Sequence, residues 1–306
     1  MNKILISVVG PTAIGKTKLA ILLAQHFKTE IISADSRQFF KEMNIGTAVP
    51  SHEELEQVKH HFIQNISIHE PYTVGDFERE AIEKISFLFK TKNIVIMVGG
   101  SGLYVNAVID GLNNFPEIDA EVREKLNKEL KEHGIKLLQD KLESLDPIYY
   151  NKVDIHNPQR VIRALEVCIG SGKPYSSFLN KPKSSRNFKV LSIGLKAERT
   201  IIYNRINKRV DLMLDAGLLG EVKEVYPYKK LNALQTVGYR ELFNYIEGIW
   251  TLEFAISEIK KNTRRFAKRQ LTWFLKNEST RWFNFDYSES FILNKINTEI
   301  LNLKND

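Results

Sequence analysis

Cysteine is almost missing from this 306-residue chain: Cys168 stands alone, which excludes an internal disulfide framework and fits a reducing compartment. No apolar run approaches the roughly 18–20 residues that a membrane span needs. The run Ile4–Val9 is too short for the core of a secretory leader and leads straight into a glycine loop. The expectation is a cytoplasmic protein with no membrane association. Two nucleotide-handling signals are also missing. No N/T-K-x-D guanine-reading motif occurs, and the apolar stretch Asn93–Val98 ends in Gly99-Gly100-Ser101-Gly102, where a hydrolase would place its metal-binding aspartate. His60, His61 and His69 have no Cys or Glu-x-x-His companions, so they read as surface or packing histidines. No internal repeat or low-complexity tract is present.

What is there begins with an ordinary globular composition, 43% hydrophobic and 26% charged, and a length that predicts about two domains. The net charge is +7, and the stretch Glu258–Arg281 holds eight Lys or Arg against two Glu, nearly the whole excess. There Lys260/Arg264/Lys268 and Lys261/Arg265/Arg269 form two i, i+4 rows. Like charges at that spacing repel, and the rows make most sense facing the phosphates of a polyanion. Phe266, Ala267, Leu271, Trp273 and Phe274 are expected to pack that helix on the core.

The strongest motif is Gly10-Pro11-Thr12-Ala13-Ile14-Gly15-Lys16-Thr17, a full G-x-x-x-x-G-K-[ST] between an apolar strand and an amphipathic helix. Its amides and the helix N-terminus bind phosphate oxygens. Lys16 neutralises the outer phosphate, and the Thr17 hydroxyl is the candidate ligand for Mg²⁺. Asp35 follows a second apolar segment, Ile31-Ile32-Ser33, and so belongs on the carboxyl rim of the sheet. From about Asp119 to Ser185 strand–helix alternation gives way to helices alone. One is capped at Asp119 and runs through His133; another opens at Asn157-Pro158 and stops at Gly170-Ser171-Gly172. Lys181 to Ser185 reads as the return linker.

GPTAIGKT, ADSRQFF with NIGTAVP, GGSGLY, NPQRVIRALEV, QTVGYREL and TRRFAKRQLTWF occur in this order. Together they resemble the bacterial tRNA dimethylallyltransferases, also called tRNA isopentenyltransferases, from about residue 3 to residue 285. The resemblance implies a P-loop NTPase-like α/β fold, with a mostly parallel sheet flanked by helices. Residues 1–118 and 186–306 form the catalytic core, and a helical insertion, 119–185, grips tRNA. It implies Mg²⁺-dependent transfer of a dimethylallyl group from dimethylallyl diphosphate to N6 of the adenosine beside the anticodon; the oligomeric state is open, with a monomer as the default expectation. Asp35 is then the general base, and Lys16, Thr17, Ser101 and Arg209 complete the catalytic set. Arg205, one turn earlier, is a substitute for Arg209. The tRNA contacts fall on Asp35, Ser36, Arg37, Gln38, Ser101, Arg123, Gln159, Arg160, Val161, Ile162 and Arg163. Ser101 departs from the family's more usual Thr but keeps the hydroxyl. One cysteine cannot build the zinc finger of the eukaryotic relatives.

Other readings stay open on the sequence. An isopentenyltransferase acting on free AMP, ADP or ATP would share the cradle and the base, with less use for the insertion and the basic helix. A P-loop small-molecule kinase would need an ATP lid. A non-catalytic RNA-binding protein would leave the cradle and the rim carboxylate without a purpose.

Overall fold

In Ile4-Leu5-Ile6-Ser7-Val8-Val9 side chains of alternate residues are apolar on both faces, so the strand is stable only when covered on both sides. The computed structural model describes residues 3–179 and 185–305 and puts this segment, β1 (Ile4–Val9), at the centre of a sheet. The other strands are β2 (Ile31–Ser33), β3 (His60–His61), β4 (Ile94–Val98), β5 (Lys189–Lys196) and β6 (Arg281–Asn284). Their order is β3-β2-β4-β1-β5-β6, and every pairing is parallel. All carboxyl ends therefore open on one rim, the place where α/β sheets hold ligands.

Period two divides the core. Ile4, Ile6 and Val8 pack with the helices α1 (Lys16–His26), α9 (Arg199–Asp215) and α13 (Glu289–Asn305). Leu5 and Val9 face the opposite layer. That layer is built from α3 (Val74–Leu88), α4 (Gly102–Asp110), α10 (Leu218–Val225), α11 (Tyr239–Ile246) and α12 (Leu252–Phe274). The short α2 (His52–Gln57) lies before β3, with a Ser51–Glu54 capping box. Phe77, fully buried and stacked on Phe39 at 5.2 Å, shows the scale of this packing. Truncating it to Ala would cost about 3–5 kcal/mol.

The chain divides into two compact units, Met1–Asp110 with Arg186–Asp306, and Gly111–Ser185. The second holds α5 (Ala120–His133), α6 (Ile135–Leu145), α7 (Pro147–Tyr150) and α8 (Pro158–Ser171) around its own core of Leu126, Leu138, Leu142, Val161, Ile162 and Leu165. The helices start where the caps demand: Asp119 accepts from the Glu121 amide at 3.0 Å, and Asn157 from the Arg160 amide at 3.3 Å. The unit begins at Gly111 rather than at Asp119, because the preceding extended residues pack onto it. Phe115 stacks on Tyr175 at 4.8 Å, and Ile118 fills the space over Gly170. The expected linker Lys181 to Ser185 lies outside the described residues except for Ser185. Where the chain re-enters the first unit, Arg186 donates to the Ala107 and Val108 carbonyls and to Glu78. Among the described residues no helix is long and apolar enough to cross a membrane.

Candidate active site

The cradle takes its shape from backbone that few residues tolerate. Gly10 has φ +142°, and a Cβ there would lie 2.7 Å from the Leu195 carbonyl oxygen. Gly15 (φ +107°) caps α1, and Ala13 holds φ +64° between them. Two side chains brace the loop: Lys16 Nζ donates to the Pro11 carbonyl at 2.8 Å, and Arg205 Nε donates to the Ala13 carbonyl at 2.7 Å. Among the described residues the amides of Ala13 to Thr17 have no protein acceptor, so they and the helix N-terminus form the anion nest. Ala13 and Ile14 point their side chains into the core and offer backbone only.

The nest forms one end of a cavity of about 1110 Å³, whose wall includes Lys16, Thr17, Asp35, Gln38, Arg205 and Arg209. Asp35 arrives there through close packing of two strand ends. The Ala34 amide donates to the Val98 carbonyl at 2.7 Å, and a Cβ on Gly99 would sit 2.4 Å from the Ala34 carbonyl oxygen. The position where a hydrolase carries its metal carboxylate is therefore sterically closed, and the carboxylate of the neighbouring strand stands beside it. The turn after Asp35 is pinned from both sides. Ser101 Oγ accepts the Ser36 amide at 3.0 Å, and Arg37 donates to the Asn232 and Ala233 carbonyls. Gln38 donates to the Thr47 and Ala48 carbonyls, fixing the loop that forms the far wall.

The electrostatics follow from this burial. Desolvation pushes the Asp35 carboxyl above its ordinary range, against the opposing pull of the Arg37 amide and the Lys16 charge. Desolvation likewise lowers Lys16 to about 8; Asp35 opposes that and Arg209 adds to it. Arg209 is lowered by burial and then by repulsion from Arg205. A poised base and three cations thus share one cavity, the arrangement expected where chemistry is done on an anionic substrate.

Residues 38–278 match the family described as IPP transferase. A tRNA dimethylallyltransferase of Flavobacterium johnsoniae is 61% identical over 300 residues, 96% of this chain and 97% of that protein. The chain belongs to the tRNA dimethylallyltransferase family. Solved structures of the family agree. The full-length tRNA isopentenylpyrophosphate transferase of Bacillus halodurans is 37% identical with a TM-score of 0.73, covering 99% of this chain and 96% of that one. A eukaryotic dimethylallyltransferase acting on tRNA superposes with a TM-score of 0.81 at 27% identity, covering 98% of this chain and 80% of its own.

As a dimethylallyltransferase family member the chain departs from the sequence expectation in several places. Gly10 and Pro11 are not on the cavity wall; they shape the loop, and the Thr12 amide donates to Gln270 Oε1 at 2.8 Å instead of facing an anion. Ser36, Arg37 and Ser101 likewise brace the Asp35 turn and do not line the cavity. Arg205 and Arg209 both line the cavity, and Arg205 is in addition tied to the cradle through the Ala13 carbonyl. Val161 and Ile162, expected among the tRNA contacts, are fully buried in the second unit's core, because they occupy the inward side of an amphipathic helix. Gln159 and Arg160 are exposed, while Arg123 and Arg163 converge on buried Glu166 at 3.4 and 3.1 Å. On α12, Lys260 pairs with Asp211 and Arg264 with Asn207, because the first basic row faces α9; Lys268 alone of that row is exposed. Lys268 joins Arg265, Arg269 and Lys276 around Trp273. Phe266 and Trp273, expected in the core, are each 39% exposed, whereas Ala267 and Phe274 are buried. His61 pairs with Glu30, His60 bonds the Val58 carbonyl and His69 packs on Tyr228, so all three are packing residues.

Sequence reasoning missed Gln270, whose signal was a polar residue on the inward side between Ala267 and Phe274. It also missed Glu221. That carboxylate accepts the Asn44, Ile45 and Gly46 amides and the Tyr239 hydroxyl, fixing the cavity wall from across the chain.

Proposed function

We propose that this protein transfers a dimethylallyl group from dimethylallyl diphosphate to N6 of the adenosine beside the anticodon of tRNA. The observation that carries the reading is the pairing of an anion nest with a desolvated carboxylate, Asp35, in one cavity where a hydrolase's metal aspartate is sterically excluded. The adenine amine is a weak nucleophile, so its attack needs a leaving group stabilised at one end and a proton acceptor at the other. In the step, the N6 lone pair forms a bond to C1 of the allyl chain. The C1–O bond breaks, its electrons leave with diphosphate, and the N6 proton passes to the Asp35 carboxylate. Lys16, Arg209 and the amides of Ala13 to Thr17 hold the negative charge that grows on the leaving oxygen.

Among the described residues no cluster of three His, Cys, Asp or Glu could hold a metal. The donor set nevertheless fits Mg²⁺: the Thr17 hydroxyl on the cavity wall would supply one hard oxygen, with the remaining ligands to come from substrate and water. Bound there, the ion would neutralise charge on the leaving diphosphate. The exposed Arg265, Lys268, Arg269 and Lys276 support an RNA substrate over a free nucleotide, which has too few phosphates to occupy them.

The test mixes protein and Mg²⁺ with labelled dimethylallyl diphosphate and either unmodified tRNA or AMP. Label in tRNA alone is expected. Label in AMP would make this a free-nucleotide enzyme, and ATP turnover without label in either would overturn the reading.

A further inference from the structure

Gln270 is only 5% exposed, and both ends of its amide are used. Oε1 accepts the Thr12 N–H at 2.8 Å, and Nε2 donates to the Gly100 carbonyl at 2.9 Å. One side chain of α12 thus spans the loop after β1 and the loop after β4. The space is shaped for it: a Cβ on Gly100 would lie 2.4 Å from Nε2 and 3.7 Å from Lys16 Nζ. One turn further on, Trp273 lies against Gly102, where a Cβ would come within 2.3 Å of the indole. The helix therefore holds the second loop on both sides of Ser101, and the Ser101 hydroxyl holds the Ser36 amide next to Asp35.

We infer that Gln270 is a positioning residue for prenyl transfer, setting the separation between the diphosphate cradle and the Ser101–Asp35 rim and occupying the Thr12 amide so that the anion nest begins at Ala13. A buried side-chain amide with two backbone partners in two different loops is a rigid spacer, since losing either bond leaves a polar group unpaired. Reacting atoms tolerate little misplacement, so a shift between the two loops registers in turnover before it registers in RNA affinity. The inference rests on the reading of the cradle as a diphosphate site.

The experiment compares Gln270→Met, which keeps volume without the amide, and Gln270→Glu with the wild-type enzyme. The readouts are labelled transfer to tRNA, tRNA binding, and calorimetric binding of inorganic diphosphate with Mg²⁺. Gln270→Met is expected to lower kcat and diphosphate affinity each by about tenfold or more, with the tRNA Kd within about twofold. In Gln270→Glu a protonated carboxyl can make both bonds and an ionised one cannot. Its kcat as a fraction of wild type is therefore expected to rise as pH falls from about 8 to about 5.5. Wild-type kcat and diphosphate affinity in both variants, or a Gln270→Glu deficit that ignores pH, would overturn the inference. If the wild-type protein transfers no label, the prenyl reading fails by itself, and the diphosphate-binding arm still decides the role of Gln270.

Discussion

The two units use arginine in opposite ways. In the first, Arg205 and Arg37 are spent on carbonyls of the loops they hold, and Arg209 is left beside Lys16 and Asp35 in the cavity. In the second, Arg123 and Arg163 share the single buried carboxylate of Glu166, and Arg163 also lies over the Phe115 ring at 5.3 Å. One cluster keeps a desolvated cation available for a ligand. The other keeps two half-exposed guanidinium groups at a fixed spacing on a small helical unit with a core of its own. Catalysis needs the first arrangement, because charge that develops in the transition state is stabilised by groups already aimed at it. Guanidinium forks held in place in this way lose little entropy when they dock on a polyanion, the role proposed for this unit.

Substitutions should separate the two. The largest effect is expected from Asp35→Asn: a fall in kcat of about 10²–10⁴, with tRNA affinity unchanged in a filter-binding or anisotropy assay. Normal turnover would remove Asp35 as the base. Arg209→Ala should follow with a loss of about 10² in kcat/KM for dimethylallyl diphosphate, again without a change in tRNA affinity. An equal loss in RNA affinity would blur the contrast between the units. Glu166→Gln should act in the opposite sense. Removing a carboxylate bonded to two arginines destabilises the insertion by about 1–3 kcal/mol, and tRNA affinity should fall while inorganic diphosphate binds as before. Smallest at low salt is the loss of Arg265, Lys268 and Arg269 together by Gln substitution. This should reduce the slope of log K against log salt for tRNA by about 0.9 for each phosphate contact removed, and an unchanged slope would make that face of α12 a solvated one.

The same contrast governs what the sequence disclosed. Local signals were legible: the P-loop, the caps at Asp119 and Asn157, and the strand preceding Asp35 all sit in a few adjacent residues whose chemistry is self-contained. Periodicity alone could not decide which row of α12 faces α9, because Lys260/Arg264 and Lys261/Arg265 are both plausible outer faces until Asp211 and Asn207 are brought opposite. Val161 and Ile162 share a motif with the polar Gln159, Arg160 and Arg163, yet their apolar side chains belong inside, and a motif read as one block does not separate the two faces. The bond from Gln270 to Thr12 joins residues 258 apart, and the Glu221 carboxylate reaches amides about 176 residues away. No local pattern encodes such ties; they appear only when the sheet brings three loops to one rim.

The central claim is that a desolvated carboxylate and a desolvated lysine work across one cavity, and the pH dependence of kcat/KM tests it most directly. Asp35 must be ionised to accept the proton and its pKa is raised, so activity should fall with decreasing pH at a limb above the ordinary carboxylate range near 4. Lys16 must be charged and its pKa is lowered to about 8, so the free enzyme should lose activity as pH rises through that value. The kcat profile should extend further into the alkaline range, because bound diphosphate favours the charged lysine. Asp35→Asn should lose the acid limb and keep the alkaline one. An acid limb that survives in Asp35→Asn would contradict the account, and so would a wild-type profile that is flat below neutrality.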